Sequence, residues 1–175
     1  MSLHFKTYVQ RHRSIKAQAA EMEFAARHHI DIHYDEDPVY YKNLSDKLQE
    51  ILESFAENWQ EKVEALRKYI EEIQTGRQTD ETGLDPKTQL PFLNILGEHS
   101  DKNLTELAAL TVEIVNHIRQ ELRRVNWDRP VVQEDLRKWI AGYLDDKDAV
   151  NYEQLESVAD KLVQLARKNR SRLIL

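Results

Sequence analysis

The chain has 175 residues, enough for one domain or two small helical lobes. It has no cysteine, which excludes disulfides and thiolate metal sites, and no apolar run approaches the roughly 18 residues of a membrane span. The net charge of −6 is uneven, because residues 34–106 carry 8 basic and 17 acidic residues, and this argues against phosphate binding there. The low contents of glycine and proline favour long helices. The lack of cysteine is typical of proteins in the reducing cytoplasm, where we expect this protein to act.

Apolar residues at helical spacing predict a first helix over about residues 8–33. Its apolar stripe is rich in alanine, so that a neighbouring helix can approach closely: Ile15, Ala19, Met22, Ala26, Ile30 and His33. The acidic corner, defined here as Asp35, Glu36 and Asp37, follows and is succeeded by Pro38. Proline suits the first turn of a helix, so Asp37 is the natural N-cap of a second helix, with all three acids at the positive end of its dipole.

The apolar pattern then continues from Tyr41 to Ile73 and predicts one long spine helix over about residues 38–75, closed by Gly76. The apolar positions 55, 59 and 63 are separated by two successive steps of four residues, which is a local change of phase in the pattern. Two helices with a bend near Asn58 are therefore the alternative. Residues 77–87 are polar and rich in helix breakers, which predicts a loop or a hinge.

The remaining sequence predicts a short helix after Pro86 and three longer helices, with capping boxes at Asn103–Glu106 and Asn151–Gln154. No stretch alternates convincingly with a period of two residues. We therefore expect an all-α protein, a bundle of about six or seven helices within one domain over 1–175. Two lobes, 1–76 and 88–175, joined by residues 77–87, are the alternative organisation.

Histidines four residues apart, such as His29 and His33, can bind zinc from one helix face. The glutamate of the zinc-protease motif is missing, since residues 30–32 are Ile, Asp and Ile. His29 and His33 are therefore weak metal candidates, and a metal-dependent hydrolase is the second alternative function. The simpler interpretation is that His33 packs at a helix end while His28 and His29 face solvent or a partner.

No glycine-rich phosphate loop and no nucleophile motif is found in the sequence, so we expect no catalytic or cofactor-binding residue in this chain. Two basic clusters are candidates for contact with DNA phosphates. The competing explanation is favourable charge at the ends of two helices, which predicts the same positions. The eight candidates are Arg119, Arg123, Arg124, Arg129, Arg167, Lys168, Arg170 and Arg172.

Four stretches carry a family resemblance: residues 16–45, which include the acidic corner and Pro38, and residues 80–85, 110–121 and 158–169. In their order and extent they resemble the C-terminal region of the restriction (R) subunit of type I restriction-modification enzymes. The likeness covers nearly the whole chain, from about residue 5 to 173. None of these stretches is a catalytic motif.

The resemblance implies a non-catalytic helical domain that docks the R subunit onto the complex of methyltransferase (M) and specificity (S) subunits. In such R subunits, DNA cleavage and ATP-driven translocation belong to an N-terminal nuclease domain and two motor lobes, so ATP and Mg²⁺ are expected only there. We accordingly expect this chain to be excised from a larger protein, with residues 1–3 as an expression-vector remnant. Direct DNA contact is the alternative function, and no membrane partner is expected.

Overall fold

The structure, a computed structural model, describes residues 14–124 and 126–175, and every regular element among them is helical. This confirms the predicted all-α, multi-helix fold. Two short 3-10 helices, Tyr34–Glu36 and Tyr152–Gln154, accompany eight α-helices in these residues. The α-helices are α1 (Ile15–His33), α2 (Pro38–Ser54), α3 (Trp59–Thr75), α4 (Leu90–Gly97), α5 (Leu104–Leu122), α6 (Pro130–Asp146), α7 (Leu155–Lys168) and α8 (Arg170–Leu173). Residues 8–13 of the predicted first helix lie outside the described residues.

The chain divides into two compact units. Unit 1 holds residues 41–76 and, of the N-terminal stretch before Asp35, the described residues 14–34; unit 2 holds Asp35–Tyr40 and Arg77–Leu175. The division after residue 76 falls at the predicted edge of the first lobe. Residues 77–87, which were predicted to join two lobes, belong to unit 2 instead, and Leu84 is buried in its core.

The prediction of one spine helix over residues 38–75 was wrong, because α2 ends at Ser54 and α3 begins at Trp59. Asn58 causes the new start: its side chain accepts a hydrogen bond from the Glu61 N–H at 3.3 Å, as an N-cap does. The phase change in the apolar pattern at positions 55, 59 and 63 was therefore a real helix boundary.

Unit 1 is built on the contact between α1 and α3. The predicted stripe of α1 is buried at Ala19, Met22, Ala26 and Ile30. Its two ends are not: Ile15 is 39% exposed and His33 is half-buried. From α2, Leu44 and Leu48 are buried, and the Tyr69 hydroxyl of α3 donates a hydrogen bond to the Leu44 carbonyl at 2.5 Å. The small alanine side chains allow α1 to pack closely, and the buried tyrosine joins α3 to α2.

Unit 2 has a continuous apolar core in which α7 packs against α6 and α4, and α4 also packs against α5. Trp127, in the turn before α6, is only 1% exposed. The Asn103 side chain accepts the Glu106 N–H at 3.0 Å, which confirms this cap of α5. The second predicted cap was wrong: Asn151 makes no side-chain cap bond, and a 3-10 turn precedes α7 instead.

None of the helices among the described residues combines the length and the apolar character needed to cross a lipid bilayer.

The hydrogen bond of Tyr69 gives a test of unit 1. Because the hydroxyl is buried, Tyr69→Phe should lower the free energy of unfolding by about 1 kcal/mol in urea denaturation. The matched control is Tyr152→Phe, because Tyr152 is 83% exposed. Removal of this exposed hydroxyl should change the free energy of unfolding by less than about 0.5 kcal/mol. Equal effects of the two substitutions would contradict this role of Tyr69.

Candidate functional site

Each acidic side chain of the corner is paired with a cation of unit 2. Asp35 Oδ2 accepts from Lys168 Nζ at 2.6 Å, and Glu36 Oε2 accepts from Arg172 Nη2 at 2.7 Å. Asp37 is paired with Arg77. In addition, the Asn169 side-chain amide donates to the Glu36 carbonyl at 2.9 Å. These contacts hold the acidic corner, which lies far from residues 168–172 in sequence, against the C-terminal end of α7 and against α8.

The three ion pairs contribute differently to stability because they differ in burial. Asp35 and Lys168 expose 63% and 59% of their side chains, and such surface pairs contribute little to stability. The side chains of Asp37 and Arg77 are only 8% and 17% exposed. Removal of either partner of the Asp37–Arg77 pair would therefore leave the charge of the other largely buried and without its counter-ion.

Asp37 has three partners within unit 2. As predicted, it caps α2, since its Oδ1 accepts the Tyr40 N–H at 3.3 Å. Arg77, which binds its other oxygen, also donates to Asn94 Oδ1 at 3.1 Å and lies over the Tyr40 ring. Burial raises the pKa of the Asp37 carboxyl above its usual range, although Arg77, Tyr40 and Asn94 offset part of that rise.

The two histidines proposed as metal candidates lie in an aromatic cluster. The ring centroids of His29 and His33 are 4.6 Å apart, and each is about 6 Å from the ring of Tyr41. Across residues 14–124 and 126–175, no group of three or more His, Asp or Glu side chains is arranged to hold a metal ion. The contacts given for these histidines are therefore with aromatic rings.

Five of the eight candidate DNA-binding residues already bind other groups of the protein. Arg119 donates to the Thr88 hydroxyl at 3.0 Å, and Arg124 pairs with Glu121 at 2.8 Å. Lys168 and Arg172 hold the acidic corner as described, and Arg170 contacts Asp128 at 3.3 Å. The other three candidates are exposed and have no side-chain partner within the described part of the chain: Arg123, Arg129 and Arg167.

A second polar network anchors the loop that precedes α4. Asp85 Oδ1 accepts hydrogen bonds from the Lys87 N–H and from the backbone and hydroxyl of Thr88. Arg119 extends the network from α5 by donating to Thr88. Partial burial alone would raise the pKa of Asp85, but these hydrogen bonds and the charge of Arg119 outweigh it and hold that pKa below its usual range.

An aromatic stack between α5 and α6 was missed by the sequence analysis. The centroids of His117 and Trp139 are 3.6 Å apart, those of Trp139 and Tyr143 are 5.2 Å apart, and the rings are nearly parallel. The Tyr143 hydroxyl donates to Glu113, and burial together with this bond raises the pKa of the phenol. Burial lowers the pKa of His117. The spacing of Trp139 and Tyr143 on one helix face was a local signal, but the partner His117 comes from another helix.

Comparison of the chain with protein-family models, with curated protein sequences and with solved structures finds no match.

Substitutions of Asp37 and Arg77 should separate the helix cap from the ion pair. Asp37→Asn keeps an oxygen for the cap and should lower the free energy of unfolding by about 2 kcal/mol, whereas Asp37→Ala should cost about 1 kcal/mol more. Arg77→Ala leaves a buried carboxylate and should cost about 3 kcal/mol. In urea denaturation, the Asp37→Asn, Arg77→Ala double variant should lose clearly less than the sum of the two single effects. Strict additivity would show that the two side chains do not stabilise one another.

The lowered pKa of Asp85 predicts a dependence of stability on pH. A carboxyl whose pKa is lower in the folded than in the unfolded state stabilises the fold above its unfolded pKa of about 3.9. That contribution is lost as the pH falls through the folded pKa. The difference in unfolding free energy between the wild type and Asp85→Asn should therefore be constant near pH 6 and shrink as the pH falls below about 4. The control is Asp146→Asn, the same change at an exposed aspartate with no side-chain partner in the described residues. An equal change of the two differences with pH would contradict the role of the Asp85 hydrogen bonds.

Proposed function

We propose that the chain is a non-catalytic assembly domain of the R subunit of a type I restriction-modification enzyme. Its role is to dock that subunit onto the complex of M and S subunits. The parent subunit is then a cytoplasmic ATP-dependent DNA translocase and endonuclease, and its ATP and Mg²⁺ bind in other domains.

The observation that carries this proposal is that the stretches resembling the family meet in pairs. Asp35 and Glu36, from the stretch 16–45, contact Lys168 and Asn169 from the stretch 158–169. Likewise, residues 80–85 and 110–121 are joined, because Asp85 binds Thr88 and Thr88 accepts from Arg119. The residues behind the resemblance therefore hold helices in place, as expected of a scaffold that recognises a partner through helix faces.

A second candidate function, DNA binding, is favoured by one observation. Arg123, Arg129 and Arg167 are exposed cations without a side-chain partner in the described residues, and such groups can neutralise phosphates. The docking function is preferred because the other five cations bind acceptors of the protein itself.

Docking can be measured with the purified complex of M and S subunits. The 175-residue chain should bind this complex saturably at micromolar concentrations in isothermal titration calorimetry. It should also compete with the intact R subunit for the same complex, since both would use one docking surface. A folded chain that fails to bind at tens of micromolar would contradict the proposal.

A DNA duplex without the M and S subunits is the control for the second candidate. Binding that falls steeply with salt, and that Arg123→Ala weakens, would favour direct DNA contact. Under the docking proposal, the duplex alone should bind the chain far more weakly than the M–S complex does.

A further inference from the structure

The start of α3 brings two lysine side chains onto one indole ring. Trp59 is the first residue of α3 and is half-buried. The Lys62 Nζ lies 4.8 Å from the centroid of the Trp59 ring, and the Lys16 Nζ, from α1, lies 5.3 Å from the same point. Two ammonium groups therefore lie near the positive end of the α3 dipole, where an anion is favoured.

Lys62 is a buried cation without a counter-ion. The residue is only 8% exposed, yet its side chain forms no hydrogen bond and no ion pair with the described residues. Lysine is almost never buried to this degree unless it is paired. The Nζ itself still reaches solvent, because Arg170 Nε is the only fully buried, unpartnered side-chain nitrogen or oxygen in the described part of the chain. The ammonium group thus has N–H donors that an anion from solution can reach.

The backbone of α3 adds further donors at the same place. The Asn58 side chain accepts the Glu61 N–H at 3.3 Å, and the Asn58 carbonyl accepts the Lys62 N–H at 2.9 Å. The N–H groups of Trp59 and Gln60 have no acceptor among the described residues. Free N–H groups at the start of a helix, together with nearby cations, are the surroundings in which proteins bind phosphate and sulfate.

The surrounding charges favour one small anion over a polyanion. Glu57 and Glu61 are exposed acids next to the site, and residues 34–106 are acidic as a whole. A row of phosphates would pass these carboxylates and be repelled by them. A single oxyanion needs only the two ammonium groups and the free N–H groups of the first turn.

We propose that the start of α3 is a binding site for a small oxyanion of the phosphate type. Lys62 and Lys16 supply the positive charge, and the N–H groups of Trp59 and Gln60 donate hydrogen bonds to the oxygens of the anion. A free phosphate ion and the phosphate monoester of a small molecule present the same group to these donors. All four residues belong to unit 1, and the inference does not depend on the proposed docking function.

The test is a titration of the 175-residue chain with inorganic phosphate, followed through the backbone amide signals in nuclear magnetic resonance spectra at low ionic strength. The signals of Trp59 and Gln60 should shift saturably at millimolar phosphate. Sodium chloride at equal ionic strength should leave them unchanged, because it supplies screening without an oxyanion.

Three variants assign the binding to the two lysines. Lys62→Met removes the charge but keeps a side chain of similar shape, and it should weaken phosphate binding about tenfold. Lys16→Met should also weaken binding, and because Lys16 is exposed it provides the test even if Lys62→Met fails to fold. The matched control is Lys68→Met, the same change at an exposed lysine of α3, and its affinity should stay within twofold of the wild type. Circular dichroism establishes that each variant is folded.

Phenyl phosphate distinguishes the two sources of the anion. Tighter binding of phenyl phosphate than of inorganic phosphate, at the same amide signals, would identify the ligand as the monoester of an organic molecule. Equal affinities would identify it as the free ion, and either result supports the site.

Three other results would overturn the inference. In the first, phosphate causes no saturable shift of the Trp59 and Gln60 signals of the folded wild type. In the second, Lys16→Met and Lys68→Met weaken binding equally, which would show that phosphate responds only to the general charge of the surface. In the third, a DNA duplex shifts these signals while inorganic phosphate and phenyl phosphate do not, so that the surface contacts a nucleic-acid backbone instead.

Discussion

The ion pair between Asp37 and Arg77 is the interaction on which the central part of the chain depends. Asp37 caps α2, and Arg77 is the first residue after unit 1 ends at Gly76. Both belong to unit 2, although residues 41–54 of α2 belong to unit 1. A single buried pair thus joins two segments of unit 2 that are 40 residues apart in the sequence. Because both side chains are largely buried, neither can be lost without leaving the charge of the other in an apolar environment.

The distribution of charge along the sequence has a structural explanation in these contacts. The acidic corner meets Lys168 and Arg172, so that acids of the middle of the chain neutralise bases of its end. Lys168 and Arg172, which were candidates for contact with DNA phosphates, are therefore engaged within the protein. The exposed surface includes a groove between α6 and α7 that is lined by side chains of both charges.

Parts of the candidate site followed from the sequence and others did not. The cap by Asp37 was predicted, because an N-cap depends on residues within one turn of each other. The partners of Asp35 and Glu36 were not, since they lie 133 and 136 residues further along the chain and no periodicity connects such positions. The break between α2 and α3 was visible as a phase change, but the greater regularity of the surrounding pattern favoured one helix. The structure shows two helices, because the side chain of Asn58 caps the start of α3 with a local hydrogen bond.

The sequence by itself determined the all-α fold, most of the buried stripe of α1 and the Asn103 cap, because each depends on the helical repeat or on neighbours within four residues. Only the tertiary structure decided that residues 35–40 and 77–87 belong to unit 2, and that α6 and α7 form the walls of a groove. The reason is physical: an ion pair or a groove depends on which helices pack together. That choice is made by the shape and burial of whole faces, which no single stretch of sequence contains.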